Sequence, residues 1–445
     1  MRLKNNWIVL VCVFASTATA QVGGYLGPGV LSSGAGTIGQ RSGADVDLRF
    51  HADVSGLYDS GISPFAVDST GHLVQLNGLY GEQVSLGAYG THQWKQAALG
   101  LDYSGNFYHY ENASSYDGSS QNLRLGVSYQ KSRRLVFDFR QIAGLTTYAY
   151  GSPGFYSGTV PAAGEVVNQP TSLLFDNRMF YLQSTVAANY LQSSRTIYTI
   201  GGDWYTMQRN TSEIASVDGY TFQGRITHRV SRARSIGVTY DYIHYQFKPL
   251  FGSADVHAGE GFFGGSLGRR WTFSVHGGAF FSEVSGVEQV AVDPVIAALL
   301  GQSSFTRAFY RTQISPSGGA SLAVKFQRSN LIFFYNRSVS PGNGIYLTSQ
   351  VSNATVSYSY TGIRNWNLGL SGGYSTLSAI GQGLQPYSQL IGGAGFTYRL
   401  SRLFHIVGRY DARHQEINLV GYRQTGYRVM LGLSLSPGDI PLSLW

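Results

Sequence analysis

Val46, Leu48, Phe50, Ala52 and Val54 share one parity of the chain, while Asp47, Arg49, His51, Asp53 and Ser55 share the other. Apolar residues at every second position describe a β-strand with one greasy and one polar face. The pattern returns at Ala97, Leu99, Leu101, Tyr103 and at Leu123, Leu125, Val127, Tyr129. Later copies run through Tyr220, Phe222, Gly224, Ile226; Trp271, Phe273, Val275; Ala320, Leu322, Val324, Phe326; Trp366, Leu368, Leu370; and Tyr427 to Leu435. A helix of period 3.6 fits none of them. Charge follows the same alternation: Asp47, Arg49, Asp53, Asp102, Arg124, Asp138, Arg140, Asp203, Arg225, Asp241, Lys325, Arg399, Arg409 and Arg428 all fall on the polar parity. The apolar parity is almost free of charge.

Short polar turns separate these segments. They fall at 92–95, 131–134, 192–195, 231–234, 268–270, 327–330, 363–365 and 401–402. The spacing between turns fits two strands joined by a longer loop, so tight turns and long loops alternate. Eight hairpins, with one strand before the first (Asp45 to Tyr58) and one after the last (Tyr422 to Leu435), predict about 18 strands, with 16 as the alternative. An even count brings both ends of the sheet to one side.

Composition narrows the class. Only 13% of the 445 residues are charged, while 14% are aromatic and 57 are Gly. That aromatic content excludes a disordered chain. A β-propeller has repeats of similar length but buries both faces of each blade and carries a recurrent blade motif, neither of which this sequence offers. A soluble sandwich would leave too much apolar surface in water. A closed barrel in lipid suits both faces: the apolar parity meets acyl chains and the polar parity meets a lumen. Trp94, Trp271 and Trp366 stand in or just after tight turns, where an interfacial girdle belongs.

The first twenty residues read as a secretory signal. Arg2 and Lys4 precede the apolar run Trp7 to Ala15, and Ala18-Thr19-Ala20 closes it with a small-x-small cleavage pattern. Cys12, the only cysteine, lies within that segment, so the mature chain is expected to have no disulfide and no lipid anchor. Residues 21–44 are Gly-rich and are expected to form a flexible arm, residues 45–436 the barrel, and residues 437–445 a tail ending in Trp445. The stretches 151–176 and 283–315 are expected as long loops, the second with a helical turn at Asp293 to Leu300 that either folds into the lumen or stays at the surface.

Removing the signal leaves 30 basic and 24 acidic residues, a balance of +6. The eight turns alone carry twelve Lys and Arg and no acid. The basic pI of about 9.3 thus describes one rim of the barrel and not a nucleic-acid surface. The ten His are scattered, and no Ser/His/carboxylate arrangement, metal-ligand spacing or phosphate loop is recognisable. No enzyme activity and no cofactor are expected.

In these strands and turns the sequence resembles the Gram-negative outer-membrane β-barrel proteins, porin-like, over roughly residues 45 to 435. The resemblance implies an all-β, closed antiparallel transmembrane barrel with short periplasmic turns and longer extracellular loops, in the outer membrane. It also implies membrane lipids, the barrel-assembly machinery and a small hydrophilic solute as partners. Members of the family typically end on an aromatic strand residue. Here Pro437, Gly438 and Pro441 separate Trp445 from the last strand, leaving the assembly signal open between 433–435 and 442–445. The implied function is a pore for passive or weakly selective diffusion; the alternatives are a barrel exporting polysaccharide or another small polymer, or a structural or adhesive surface barrel. Candidate lumen-lining residues are Asp47, Arg49, His51, Asp53, Arg124, Asp138, Arg140, Arg225, Lys325, Arg409, Asp411, Arg413 and Arg428. Closure is expected to set Asp47, Arg49, His51 and Asp53 beside Arg428, with Arg409, Asp411 and Arg413 one strand beyond. That group could bind an anionic or zwitterionic solute through bidentate Arg, or form a salt-bridge ladder that stiffens the seam.

Overall fold

The structure is a computed structural model that describes residues 46–60, 65–67, 73–75, 78–111, 117–146, 179–210, 214–249, 252–291, 304–342, 344–382, 384–401, 403–417 and 422–435. The expected signal, arm, helical turn, C-terminal tail and 151–176 loop lie outside the described residues.

Among the described residues, alternation of side chains is realised as twenty strands. The first five are β1 (Val46–Asp59), β2 (Phe65–Val67), β3 (Leu73–Gln75), β4 (Leu79–Gln93) and β5 (Ala97–Tyr110). There follow β6 (Gly118–Gln130), β7 (Leu135–Thr146), β8 (Met179–Leu191), β9 (Thr196–Arg209) and β10 (Ser216–Arg229). Next come β11 (Arg234–Lys248), β12 (Ser253–Leu267), β13 (Trp271–Ala291), β14 (Ser304–Lys325) and β15 (Ser329–Ser340). The last are β16 (Ser349–Tyr360), β17 (Trp366–Ala379), β18 (Tyr387–Arg399), β19 (Phe404–Ile417) and β20 (Tyr422–Leu435). Eighteen of them form one antiparallel sheet, each paired with its chain neighbour, and β1 pairs with β4 on one side and β20 on the other. The sheet is therefore a closed barrel without a free edge around its full girth. The two short strands β2 and β3 pair only with each other, in the connection between β1 and β4.

All eight expected turns join strands at one rim, here called the turn rim. Both the start of β1 and the end of β20 lie there, since Val46 pairs with His92 and Leu435 with Phe404. The outward parity carries the exposed apolar side chains, among them Ile200, Val238, Val275, Leu370 and Leu431. Trp94, Trp271 and Trp366 are exposed at the turn rim, and Tyr129, Tyr240 and Tyr358 on the outer face. This apolar outer wall is the reverse of a soluble protein and matches a barrel solvated by lipid.

The expected loop 283–315 is corrected by the structure. β13 continues to Ala291 and β14 begins at Ser304, giving a ladder of 21 residue pairs that projects beyond the rest of the barrel. Within it residues 310–314 of β14, opposite 281–285 of β13, are exposed on both faces, so no two-faced pattern marked this part as strand.

Candidate functional site: the barrel lumen

Inward positions hold the polar parity, and the seam gathers the densest charge. Asp59 of β1, Arg428 of β20 and Asp411 of β19 stand in one cross-strand row. The Arg428 Nε lies 3.3 Å from Asp59 Oδ2, its Nη2 donates to the Tyr110 hydroxyl at 3.0 Å, and its guanidinium sits 5.1 Å from the Tyr108 ring centroid. Asp411 accepts from Arg409 at two atoms, Nε to Oδ2 at 2.5 Å and Nη2 to Oδ1 at 2.9 Å. Asp59, Asp411, Arg413 and Arg428 are all buried. Burial strengthens such pairs but requires them to be made, because an isolated charge there would be costly.

The register of the seam corrects the sequence reading. Arg428 faces Asp59, whereas Asp53 pairs with Ser434. Residues 46–51 pair only with β4, so Asp47, Arg49, His51 and Asp53 do not flank Arg428. Strand tilt staggers the closing pair, which leaves eight pairs across the seam against fourteen between β1 and β4. Arg409, Asp411 and Arg413 do lie one strand beyond, on β19. The side chains of Asp47 and Arg49 lie outside the described residues, although their strand positions do not.

Towards the turn rim a looser group of charges continues around the wall. His51 Nε2 is 3.9 Å from Asp53 Oδ2, and its ring occupies the space where a Cβ at Gly87 would stand, 1.8 Å from His51 Cε1. Only glycine there lets the imidazole lie across β4. Arg124 stands opposite Asp102 on β5. Asp138 accepts from Asn189 Nδ2 at 2.6 Å, and Arg140 follows it on the same face of β7. On the facing wall Arg225 Nε donates to Thr239 Oγ1 at 3.1 Å and its guanidinium lies 5.4 Å from the Phe262 centroid. His276 Nδ1 meets Glu260 Oε2 at 2.8 Å nearby. Lys325 ends β14 at the turn rim, apart from the other candidates. The thirteen candidates are thus spread around the wall, and only Arg409, Asp411, Arg413 and Arg428 belong to the seam group.

Sequence reasoning missed what narrows the lumen. The connection between β15 and β16 turns inward and reaches the start of β10, five strands from β15 around the wall, where the Ala215 amide donates to the Gly344 carbonyl at 3.1 Å. Leu347 joins a buried apolar cluster with Tyr205, Met207, Val217, Tyr245 and Phe247 from β9 to β11. The connection between β17 and β18 supports it from the side. Gln382 accepts from the Leu347 amide at 2.8 Å and donates to the Ile345 carbonyl at 3.1 Å, and the Tyr346 hydroxyl donates to the Gln385 carbonyl at 2.7 Å. Gly342 and Gly344 have φ of 71° and 93°, conformations that a side chain would strain. The Pro341-Gly342-Asn343-Gly344 sequence signals a turn. Its inward direction depends on Leu347 finding apolar partners on another wall.

Among the described residues no group of three or more His, Cys, Asp or Glu could hold a metal ion. No helix among them is long and apolar enough to cross a membrane, which says nothing of crossing with strands.

No family model matches the sequence, and no curated protein matches it. Among solved structures, the chain is similar to Pseudomonas aeruginosa OccK5 (OpdH), with a TM-score of 0.41 and 10% identity over 88% of this chain and 98% of that one. Acinetobacter baumannii OccAB1 gives a TM-score of 0.41 and 8% identity, covering 88% and 97%. The unliganded ferric citrate transporter FecA gives 0.41 and 10%, covering 84% of this chain and 60% of that one.

Proposed function

We propose that the protein is an outer-membrane channel through which small hydrophilic solutes diffuse past an internal constriction. The observation that carries this reading is the closed 18-stranded wall, apolar outside and polar inside, since barrels of 16 to 18 strands are wide enough to hold an aqueous channel. The 341–348 connection then sets the size limit by crossing from β15–β16 to the β9–β13 side. Passage is left to the rest of the lumen, lined by β15–β20, the seam and β4–β8. Those walls carry the mixed charge of Asp102, Arg124, Asp138 and Arg140 beyond the paired seam. With both signs present and physiological salt screening over about 8 Å, discrimination between small ions is expected to be weak. A crossing segment also argues against export of a thick polymer. Single-channel recording of the purified protein in planar bilayers tests the proposal: discrete, voltage-stable conductance steps are expected. A lipid-inserted barrel with no conductance would refute it.

A further inference from the structure

At one height of the inner wall, six adjacent strands each contribute one uncharged polar side chain. Asn336 on β15 pairs in register with Asn353 on β16, Asn353 with Ser375 on β17, and Ser375 with Gln389 on β18. Gln389 pairs with Gln415 on β19, and Gln415 with Gln424 on β20. All six are buried, with Ser375 at 0%, Gln415 at 1% and Gln389 at 3% exposure. Three amide residues and a hydroxyl nevertheless have atoms with no hydrogen-bond partner: Asn353 Oδ1, Ser375 Oγ, Gln389 Oε1, and both Nε2 and Oε1 of Gln415. An unpaired buried polar atom costs about 1–3 kcal/mol, so these atoms favour any partner that can donate to and accept from them.

The neighbouring rows give the track its character. On the loop side of the amides stand Val351, Leu377 and Tyr387, packed with Tyr346 of the crossing connection, so the row lies directly at the constriction. On the other side, Arg413 stands buried two positions from Gln415, and Asp411 and Arg428, four positions from the amides of their strands, are engaged with Arg409 and Asp59. From β15 to β18 no inward residue between Asn330 and Thr397 is charged. Each amide offers donors and an acceptor side by side, and each sugar hydroxyl can both donate and accept, so a polyol can satisfy such a row without bringing charge into it. A carboxylate would lose its hydration with no cation in the row itself to replace it, the nearest inward one being Arg413 below the β19 end of the row.

We propose that the Asn336-to-Gln424 row is a binding track for uncharged polyhydroxylated solutes, such as small saccharides, at the constriction of the pore. This deepens the channel reading above and rests on it for its physiological meaning. The test is equilibrium dialysis of radiolabelled sucrose and, separately, gluconate against the detergent-solubilised full chain, beside bilayer conductance of the same preparation. Saturable sucrose binding is expected, with gluconate at least tenfold weaker. The double variant Gln389→Leu with Gln415→Leu should lose tenfold or more in sucrose affinity while keeping its heat-modifiable mobility in electrophoresis. Where that double variant fails to assemble, Ser375→Ala gives the same comparison with a milder change. Absent sucrose binding, gluconate binding as tight as sucrose, or unchanged sucrose affinity in the assembled variant overturns the proposal. Conductance without sucrose binding would leave the channel standing and remove the track; sucrose binding without conductance would do the reverse.

Discussion

Asp59 and Arg428 stand opposite each other in register across the closing pair of strands, with Nε 3.3 Å from Oδ2 and both side chains buried. Only eight residue pairs join β1 to β20, so this contact secures one of the two shortest ladders in the wall; β14 and β15 also share eight pairs. Replacing Arg428 by Met would strand Asp59 as a buried charge and remove the donor to Tyr110. Breaking a buried pair from one side costs about 3–5 kcal/mol. Urea unfolding of Arg428→Met in lipid vesicles is expected to show that loss. The double variant Asp59→Leu with Arg428→Met should recover most of it, because the orphaned charge is gone. A single variant as stable as the parent would show that the contact contributes nothing to closure.

The two faces of a strand predict opposite outcomes for one substitution. Val275 is exposed on the outer face of β13, and Ser274 beside it points inward. Arg at position 275 puts a cation into lipid at a cost of about 2–4 kcal/mol near mid-depth. Arg at position 274 meets the lumen. Vesicle-insertion yields of Val275→Arg are expected to fall well below those of Ser274→Arg, and equal yields would mean that the wall is inverted or not lipid-facing.

Strand parity was legible in the sequence because lipid and water impose opposite demands on alternate residues, as at Leu123, Arg124 and Leu125. Turns were legible for a similar reason, through short polar runs such as Lys131 to Arg134. The offset of β1 against β20 was not. It follows from strand tilt summed around the whole barrel, and no local pattern near Asp53 or Arg428 records it. Continuing the inward parity of β1 past Asp53 to Ser55, Leu57 and Asp59 would have offered Asp59 as a partner, but not chosen it. The projecting part of β13 and β14 escaped because residues such as Tyr310, Arg311 and Thr312 meet solvent on both faces, which erases the period of two. The amide row also stayed hidden, since Gln389, Gln415 and Gln424 come together only through cross-strand register.

At the loop end of β5, past its last apolar outward residue Phe107, His109 Nδ1 meets Asp117 Oδ2 at 2.8 Å. The Asp117 hydrogen bond raises the His109 pKa above its ordinary 6.5. The Tyr110 amide, followed by His109, holds the Asp117 carboxyl below its ordinary range. The signs are opposite. The His109 contribution is complete below pH 6.5 and fades as pH rises through the raised value, whereas that of Asp117 is present above about 3.8 and fades in acid. The pair is therefore strongest between mildly acidic and neutral pH. A titration of the His109 ring by NMR should give a midpoint above 6.5 in the parent protein and a lower one in Asp117→Asn. An unchanged midpoint would separate the two residues in solution.

The crossing connection gives the sharpest test of how the pore is narrowed. Gly344 has a φ of 93°, and a Cβ there would lie 2.2 Å from Ile214 Cγ2 and 3.0 Å from the Ala215 carbonyl oxygen. Gly344→Val therefore combines backbone strain with a clash against Ile214 and Ala215, each unfavourable by itself. The barrel's ladders involve none of these atoms, so assembly and heat-modifiable mobility should survive. What should give way is the anchor, the hydrogen bond from the Ala215 amide to Gly344, and with it the seat of Leu347 among Tyr245 and Phe247. Release of that seat exposes apolar wall to water and widens the passage on the β9–β13 side. Single-channel conductance of Gly344→Val is expected to rise and its current noise to increase, as the connection samples positions away from the wall. Conductance equal to that of the parent in the assembled variant would mean that the narrowest point lies elsewhere in the lumen.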